Sequence, residues 1–295
     1  MTDQAAKLRE IAGVMEEERV IEPLFNNRHS NIIAVSSGKG GVGKTNVVTS
    51  LSYALTDMGK NVMILDADFG LANIDILLGI NPQFSLKDVL LGDKSMKDIL
   101  VTMPNGLQII PGSQGVEELA NLDVDDKKRK LVECMKLKDD IDFFFIDTSA
   151  GIHKNVIDMV LASGRLIVIT TPEPTSITDA YSLIKIVLKK RSDMDISLLV
   201  NSVRNEREGD EIYKNLNSVL KNFLSRDIDY FGHMVYDKSV VNAVRKQKPF
   251  YEGAPNSQAS KCIDLLAKKL ADNTQRSANG SSTVYNFFKR LFLVS

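Results

Sequence analysis

The sequence predicts an α/β fold, a mostly parallel, twisted sheet flanked by helices on both faces. Three observations carry this expectation. Short apolar runs recur along the chain, among them Ile32 to Val35, Val62 to Leu65, Phe143 to Ile146, Leu166 to Ile169 and Ile196 to Val200. Runs of this length, apolar throughout, fit strands buried on both faces. Stretches of helical length separate them, and that βαβ spacing makes successive strands parallel. Several runs stop at an acid or an amide, and parallel sheets gather their ligands at the carboxyl ends of their strands.

Composition sets bounds. The chain has 295 residues, 43% hydrophobic and 25% charged, enough for one large α/β domain with short appendages. The net charge of −1 argues against strong global attraction to nucleic acid. Cys134 and Cys262 are far apart and make neither a metal cluster nor a disulfide framework, so a reducing cytosol is expected. His29, His153 and His233 are scattered and read as structural or surface residues. The acidic start lacks a secretory apolar core, and no run of about 18 apolar residues offers a membrane span.

Residues 1–30 read as an appendage. Thr2 or Asp3 caps a short helix in which Leu8, Ile11, Ala12 and Met15 make one apolar stripe, and Glu22-Pro23 ends the element. That stripe either packs on its own domain or docks a partner. The first strand, Ile32 to Val35, leads into Gly38 to Thr45, which has the phosphate-loop spacing of Gly, four residues, Gly, Lys and Ser or Thr. Glycines let the backbone curl so that several N–H groups face one phosphate chain, and the following helix, Asn46 to Leu55, adds positive potential at its N-terminus. Nucleotide binding through Gly38, Lys39, Gly40, Gly41, Val42, Gly43, Lys44, Thr45 and Asn46 is therefore expected. Lys44 serves the β- and γ-phosphates, and the Thr45 hydroxyl serves Mg²⁺.

The second strand, Asn61 to Leu65, ends at Asp66-Ala67-Asp68 beside that loop. Carboxylates there hold a ligand water of Mg²⁺ or orient a nucleophilic water. Phe69 to Gly79 follows, with Gly70 able to move with the state of the γ-phosphate. Leu107 to Gly112 reads as a strand and its turn. Asp123 to Lys138 reads as a charged helix whose Lys127 to Lys130 run is balanced by Asp123, Asp125 and Asp126, a solvated face. Phe143 to Ile146 delivers Asp147 to the Mg²⁺ shell in the Walker B manner, and Gly151 brings backbone amides toward the γ-phosphate.

Leu166 to Pro174 is the next strand and its exit. Ser176 with Asp179 reads as a capping pair for a helix from Ile177 to Lys190. Ile196 to Asn201 is a further strand, with a helix at Gly209 to Leu224 and a strand at Tyr230 to Val235 after it. Asn256 to Leu270 is the last core helix, with Cys262 just buried. Ala271 to Thr283, rich in Ser, Asn and Gly, reads as a flexible linker. In residues 284–295, Val284, Phe287, Phe288, Leu291 and Phe292 form an apolar stripe flanked by Lys289 and Arg290. Such a helix is interfacial, too short to span a bilayer, and folds where its face is covered, by lipid or by the domain itself.

Lys39 makes the loop more specific. Its Lys-Gly-Gly-x-Gly-Lys-Thr form resembles the MinD/ParA class of ATPases, in which this lysine reaches a partner subunit's phosphates across a face-to-face homodimer. That resemblance implies a P-loop NTPase fold over residues 31–270 and a Mg²⁺-dependent ATPase. It also implies catalytic roles for Lys39, Lys44 and Asp68, metal binding by Thr45, Asp66 and Asp147, and adenine contacts from Asn201, Tyr236 and Asp237. Ser149 stands where proline is common in the class. Asp3-Gln4-Ala5-Ala6-Lys7-Leu8-Arg9, Phe69 to Gly79, Pro174 to Tyr181 and the amphipathic tail are similar to the FlhG/FleN branch of flagellar-number regulators. The branch implies stimulation of the GTPase FlhF through residues 1–20, contact with a flagellar master transcription activator or flagellar switch components, and no sequence-specific nucleic acid. It also implies a cytoplasmic protein held reversibly at the inner membrane face through residues 284–295. A partitioning or division-site ATPase is the alternative, as is a nucleotide-binding module without turnover. An iron–sulfur reductase needs cluster cysteines that two isolated cysteines do not supply.

Overall fold

Residues 31–68, 73–112, 141–273 and 283–294 are described by a computed structural model. Their eight strands are β1 (Ile32–Ser37), β2 (Val62–Ala67), β3 (Val101–Thr102), β4 (Gln108–Ile110), β5 (Phe143–Ala150), β6 (Arg165–Thr170), β7 (Asp195–Val203) and β8 (Asp229–Val235). They form one sheet in the order β3-β4-β2-β5-β1-β6-β7-β8, with β3 antiparallel to β4 and every other pair parallel. The expected mostly parallel α/β sheet is the sheet observed. Strand order reverses at β1, between β5 and β6, and the carboxyl ends of these strands frame the switch point.

Alternation along the strands divides the core in two. Ile33, Val35, Ile64, Phe143 and Phe145 face one side, beneath α1 (Lys44–Asp57) and α10 (Gln258–Asn273). Ile32, Met63, Leu65, Phe144 and Ile146 face the other, where α3 (Leu86–Leu91), α4 (Met96–Ile99) and α5 (Lys154–Ala162) lie. Next to them α6 (Pro174–Lys190) and α7 (Glu206–Leu224) cover Leu166, Val168, Leu198 and Val200. Short helices α2 (Ile74–Leu78), α8 (Lys238–Arg245) and α9 (Phe250–Gly253) complete the connections. Caps fix the starts: Ser85 with Asp88 and Ser95 with Asp98 make capping boxes for α3 and α4, and the Asn205 side chain accepts from Glu208 N at the start of α7.

Several elements differ from the sequence reading, three of them around the strand exits and the chain's end. The Ser176–Asp179 capping pair does not form, because α6 begins earlier, with Pro174 in its first turn and Glu173 as N-cap. A proline there presets the helical φ and removes an N–H that has no helical partner. Ser176 is instead buried, sharing a hydrogen bond with Thr170 Oγ1 at 3.0 Å and accepting from Thr171 N at 3.1 Å. β5 does not stop at Asp147 but runs on to Ala150, past a register shift against β1 between Val35 and Ser37. α10 extends through Asn273, into the stretch read as linker; the rest of that stretch up to 282 lies outside the described residues. So do the expected helix at Asp123 to Lys138, the N-terminal element and Gly70.

The tail forms α11 (Thr283–Val294). Its stripe is covered: Val284, Phe287, Phe288, Leu291 and Phe292 are all buried in the same core as Met63, Phe144, Ile146 and Met159. Phe287 meets Phe144 edge-on at 5.5 Å between centroids, and Phe288 at 5.3 Å. Of the two coverings open to this stripe, the structure contains the domain's own. Arg290 goes in with it, 6% exposed, its guanidinium pushed down to about 10 by burial and then by the nearby Arg191 charge.

Candidate functional site

The loop between β1 and α1 is shaped by glycine. Gly41 has φ +77° and Gly43 φ +92°, the left-handed region that side chains with a Cβ rarely enter. Gly38 abuts the backbone of Asp179 on α6, where a Cβ would overlap. Two side chains tie down loop carbonyls: Ser37 Oγ donates to Lys39 O at 2.7 Å, and Asn201 Nδ2 donates to Val42 O at 2.7 Å. Gly151, with φ +101°, donates its N–H to Ser37 O at 2.8 Å, so that amide braces the loop from below instead of reaching into it.

Lys44 opens α1 and is 8% exposed. Burial lowers its ammonium below the usual range, and the Asp147 and Asp68 carboxylates work against that. Asp147 is fully buried, its Cα in register with that of Asp66 across the β2–β5 pair. Neither Asp147 oxygen makes a hydrogen bond of full geometry, although the Thr45 hydroxyl stands close enough to favour the charged form. Burial raises its carboxyl to about 7, the neighbouring Asp66 charge adds to this, and Thr45 and Lys44 oppose it. An anion so placed calls for a proton or a cation.

Asp66 is also buried and also raised to about 7 by burial, but its oxygens are occupied. Oδ1 accepts from Asp68 N at 3.1 Å and Oδ2 from Ile74 N at 3.3 Å. Asp66 thus spends its oxygens on the N–H groups of Asp68 and Ile74, whereas Asp147 has no such backbone donors. Asp68 Oδ2 accepts from Asn73 Nδ2 at 3.0 Å. Mg²⁺ fits this donor set. It takes oxygen ligands, keeps several waters and relies on one or two carboxylates plus substrate phosphates. Among the described residues there is no cluster of three or more His, Cys, Asp or Glu side chains that could hold a metal.

The remaining expected residues are spread around this centre. Lys39 Nζ lies 2.6 Å from Glu173 Oε2 and 3.2 Å from Thr175 Oγ1, so the lysine is held by its own chain at the start of α6. Tyr236 is 63% exposed. The Asp237 carboxylate is taken up in caps, accepting from Ser239 N at 2.8 Å for α8 and from Ala259 N at 3.3 Å for α10. Sequence reasoning missed four residues here: Ser37, Asn73, Glu173 and Thr175. Ser37 and Asn73 sit beside motifs and carried a positional hint. Glu173 carried none, because its contact spans 134 positions.

Comparison with known proteins agrees with this fold. The ParA family model, described as a NUBPL iron-transfer P-loop NTPase, matches residues 28–271. The chain is 38% identical over 260 residues to the antiactivator FleN of Pseudomonas aeruginosa, covering 88% of this chain and 92% of that protein. It is 32% identical over 294 residues to the flagellum site-determining protein YlxH of Helicobacter pylori, covering 99% and 98%. Among solved structures, the septum site-determining protein MinD of Pyrococcus horikoshii, complexed with Mg-ADP, superposes with a TM-score of 0.64 at 27% identity, over 81% of this chain and 94% of that one.

Proposed function

The chain belongs to the ParA family of P-loop NTPases, in its MinD-like FleN/FlhG-type branch, and from that premise we propose that it is an ATP-driven switch regulating flagellar number and placement. The observation that carries the reading is Asp147, buried, with neither oxygen in a hydrogen bond of full geometry, beside Lys44 and Thr45 below a glycine-rich loop. The loop amides and the start of α1 hold the phosphates, and Lys44 offsets their charge. Thr45 and Asp147 hold Mg²⁺, with Asp66 close to it. When bound, the ion draws charge from the phosphate oxygens. Asp66 holds the Asp68 and Ile74 N–H groups, and Asn73 holds one oxygen of Asp68 while the other accepts a hydrogen bond from the attacking water.

Lys39 leaves Glu173 and Thr175 to reach the triphosphate of a second subunit, closing a homodimer. α11 leaves its groove for the inner face of the membrane, where two tails on one dimer bind far more tightly than one. Residues 1–20 stimulate an FlhF-type GTPase, and a flagellar transcription activator or switch component is a further partner. Hydrolysis resets the monomer.

The test is phosphate release from Mg·ATP by the full chain and by Asp68→Ala, with anionic vesicles and the GTPase partner present. Loss of release in the variant is expected. Equal release from both sinks the enzymatic reading.

A further inference from the structure

α8 turns two valines outward, three positions apart and so on one face: Val241 is 47% and Val244 36% exposed. Ala243 of the same helix is buried, so the core is served by the other face. Just past the end of α8, Gln247 donates from N to Val244 O at 2.9 Å and from Nε2 to Ile76 O at 3.2 Å. Gln247 takes φ +53° to make this turn, and its Cβ closes on Gly79. The end of α8 is thereby joined to α2, whose Ile76 is 64% exposed.

Charge frames this apolar surface. From Lys238 to Lys248 the sequence holds four cations, Lys238, Arg245, Lys246 and Lys248, and no acid. All four are exposed. Lys248 pairs with Glu252 at 2.7 Å, whereas Lys238, Arg245 and Lys246 have no ion-pair partner among the described residues. The complementary composition occurs in residues 8–22, which lie outside the described residues. Leu8, Ile11, Ala12 and Met15 make one apolar stripe, and from Glu10 to Glu22 five acids stand against the single cation Arg19. We propose that residues 8–22 dock in cis on the patch of Val241, Val244 and Ile76, with Glu16 to Glu18 facing Arg245, Lys246 and Lys238.

The tether allows this contact. Residues 23–31 extend to about 30 Å. They start from the amino end of β1, and six residues of strand measure about 20 Å to the end of the sheet from which α8 departs. Exposed ion pairs are weak one by one. A tethered segment, however, meets its site at an effective concentration on the order of millimolar, which a partner in solution does not. Docked, the stripe is withheld from the GTPase. The regulatory meaning of the contact therefore rests on the reading of residues 1–20 given above, but docking itself involves neither nucleotide nor GTPase.

The full chain carrying Val241→p-benzoylphenylalanine is irradiated at low salt without nucleotide, and the products are mapped by mass spectrometry. An intrachain link from position 241 to residues 8–22 is expected. Its yield should fall at least about fivefold when Glu16→Lys, Glu17→Lys and Glu18→Lys are combined, because three attractions become repulsions. Adding Lys238→Glu, Arg245→Glu and Lys246→Glu should restore it. Hydrogen exchange across 238–245, in chains without the probe, gives a second reading and should be faster in the Glu16–Glu18 variant. A product of twice the chain's mass puts a second copy on the patch and overturns the cis contact. So does a link confined to other segments, no link at all, or a yield unchanged by charge reversal. If the link forms and neither the wild type nor Arg245→Glu with Lys246→Glu stimulates the GTPase, the reading of residues 1–20 fails while the docking stands.

Discussion

Replacing Met159 with lysine tests the tail. Met159 lies on α5, is 2% exposed and belongs to the apolar cluster that receives Val284, Phe287, Phe288, Leu291 and Phe292. The substitution alters the groove and leaves the tail sequence intact, so lipid affinity of the tail itself is unchanged. Docked, α11 places a lysine ammonium among phenylalanines, in a region that already holds Arg290. An unpaired charge buried there costs at least about 3 kcal/mol, a shift of roughly a hundredfold between docked and released tail. Released, the same ammonium reaches water along its flexible stem. Two measurements read the outcome on the full chain in Mg·ADP, where the wild-type tail is expected to stay docked. Amide hydrogen exchange across 283–294 should lose its protection, and co-sedimentation with anionic vesicles should rise above that of the wild type in Mg·ADP while staying below that of the two-tailed dimer in ATP. Retained protection refutes the packing argument. Lost protection without vesicle binding refutes the membrane role and leaves the tail as a cap on the core.

Three further outcomes follow from the site. Asp68→Ala, saturated with Mg·ATP, should sediment as a dimer and in Mg·ADP as a monomer; a monomer in both rejects the ATP-closed pair. Glu173→Ala frees Lys39 from an exposed ion pair worth at most about 1 kcal/mol in each subunit, so dimerisation in Mg·ATP, which breaks two such pairs, should tighten by up to about thirtyfold in analytical ultracentrifugation. A weaker dimer would instead give Glu173 its own contact across the face. Burial raises the folded-state carboxyls of Asp66 and Asp147 to about 7, well above their unfolded values near 4. The folded state then holds more protons between those values, so stability without Mg²⁺ falls as pH rises from about 4 to about 7. Melting temperature in chelator should drop from pH 5 to pH 8, and less so in Asp66→Asn. An equal drop in both removes the buried pair as the cause.

Much of the site could be read locally. The loop from Gly38 to Thr45 announces itself because phosphate binding needs glycines, a lysine and a hydroxyl at fixed spacing within one turn. The strands were visible because burial on both faces demands unbroken apolar runs. Boundaries were less legible. Ser176 and Asp179 had the composition of a cap, yet Pro174 starts α6 earlier, and the Ser176 hydroxyl found Thr170 and Thr171 across the strand exit. Asp237 had the position of a base-side residue, yet its carboxylate serves two helix starts, one of them in a helix that begins 21 residues later.

The sequence by itself determined that a loop of phosphate-loop composition lies at a strand-to-helix turn, with acids delivered by neighbouring parallel strands. Local spacing suffices for that, because those groups sit on one turn or at strand ends that the sheet must align. Only the tertiary structure decided what each polar group holds: that Lys39 is engaged by Glu173, that Asp66 is spent on backbone amides while Asp147 is not, and that Asn201 clasps Val42. It also decided that the phenylalanine stripe of α11 rests on Phe144 and Met159. A periodic pattern states that a face must be covered. It does not state by what, since the covering surface is assembled from residues distant in sequence and exists only once the chain has folded.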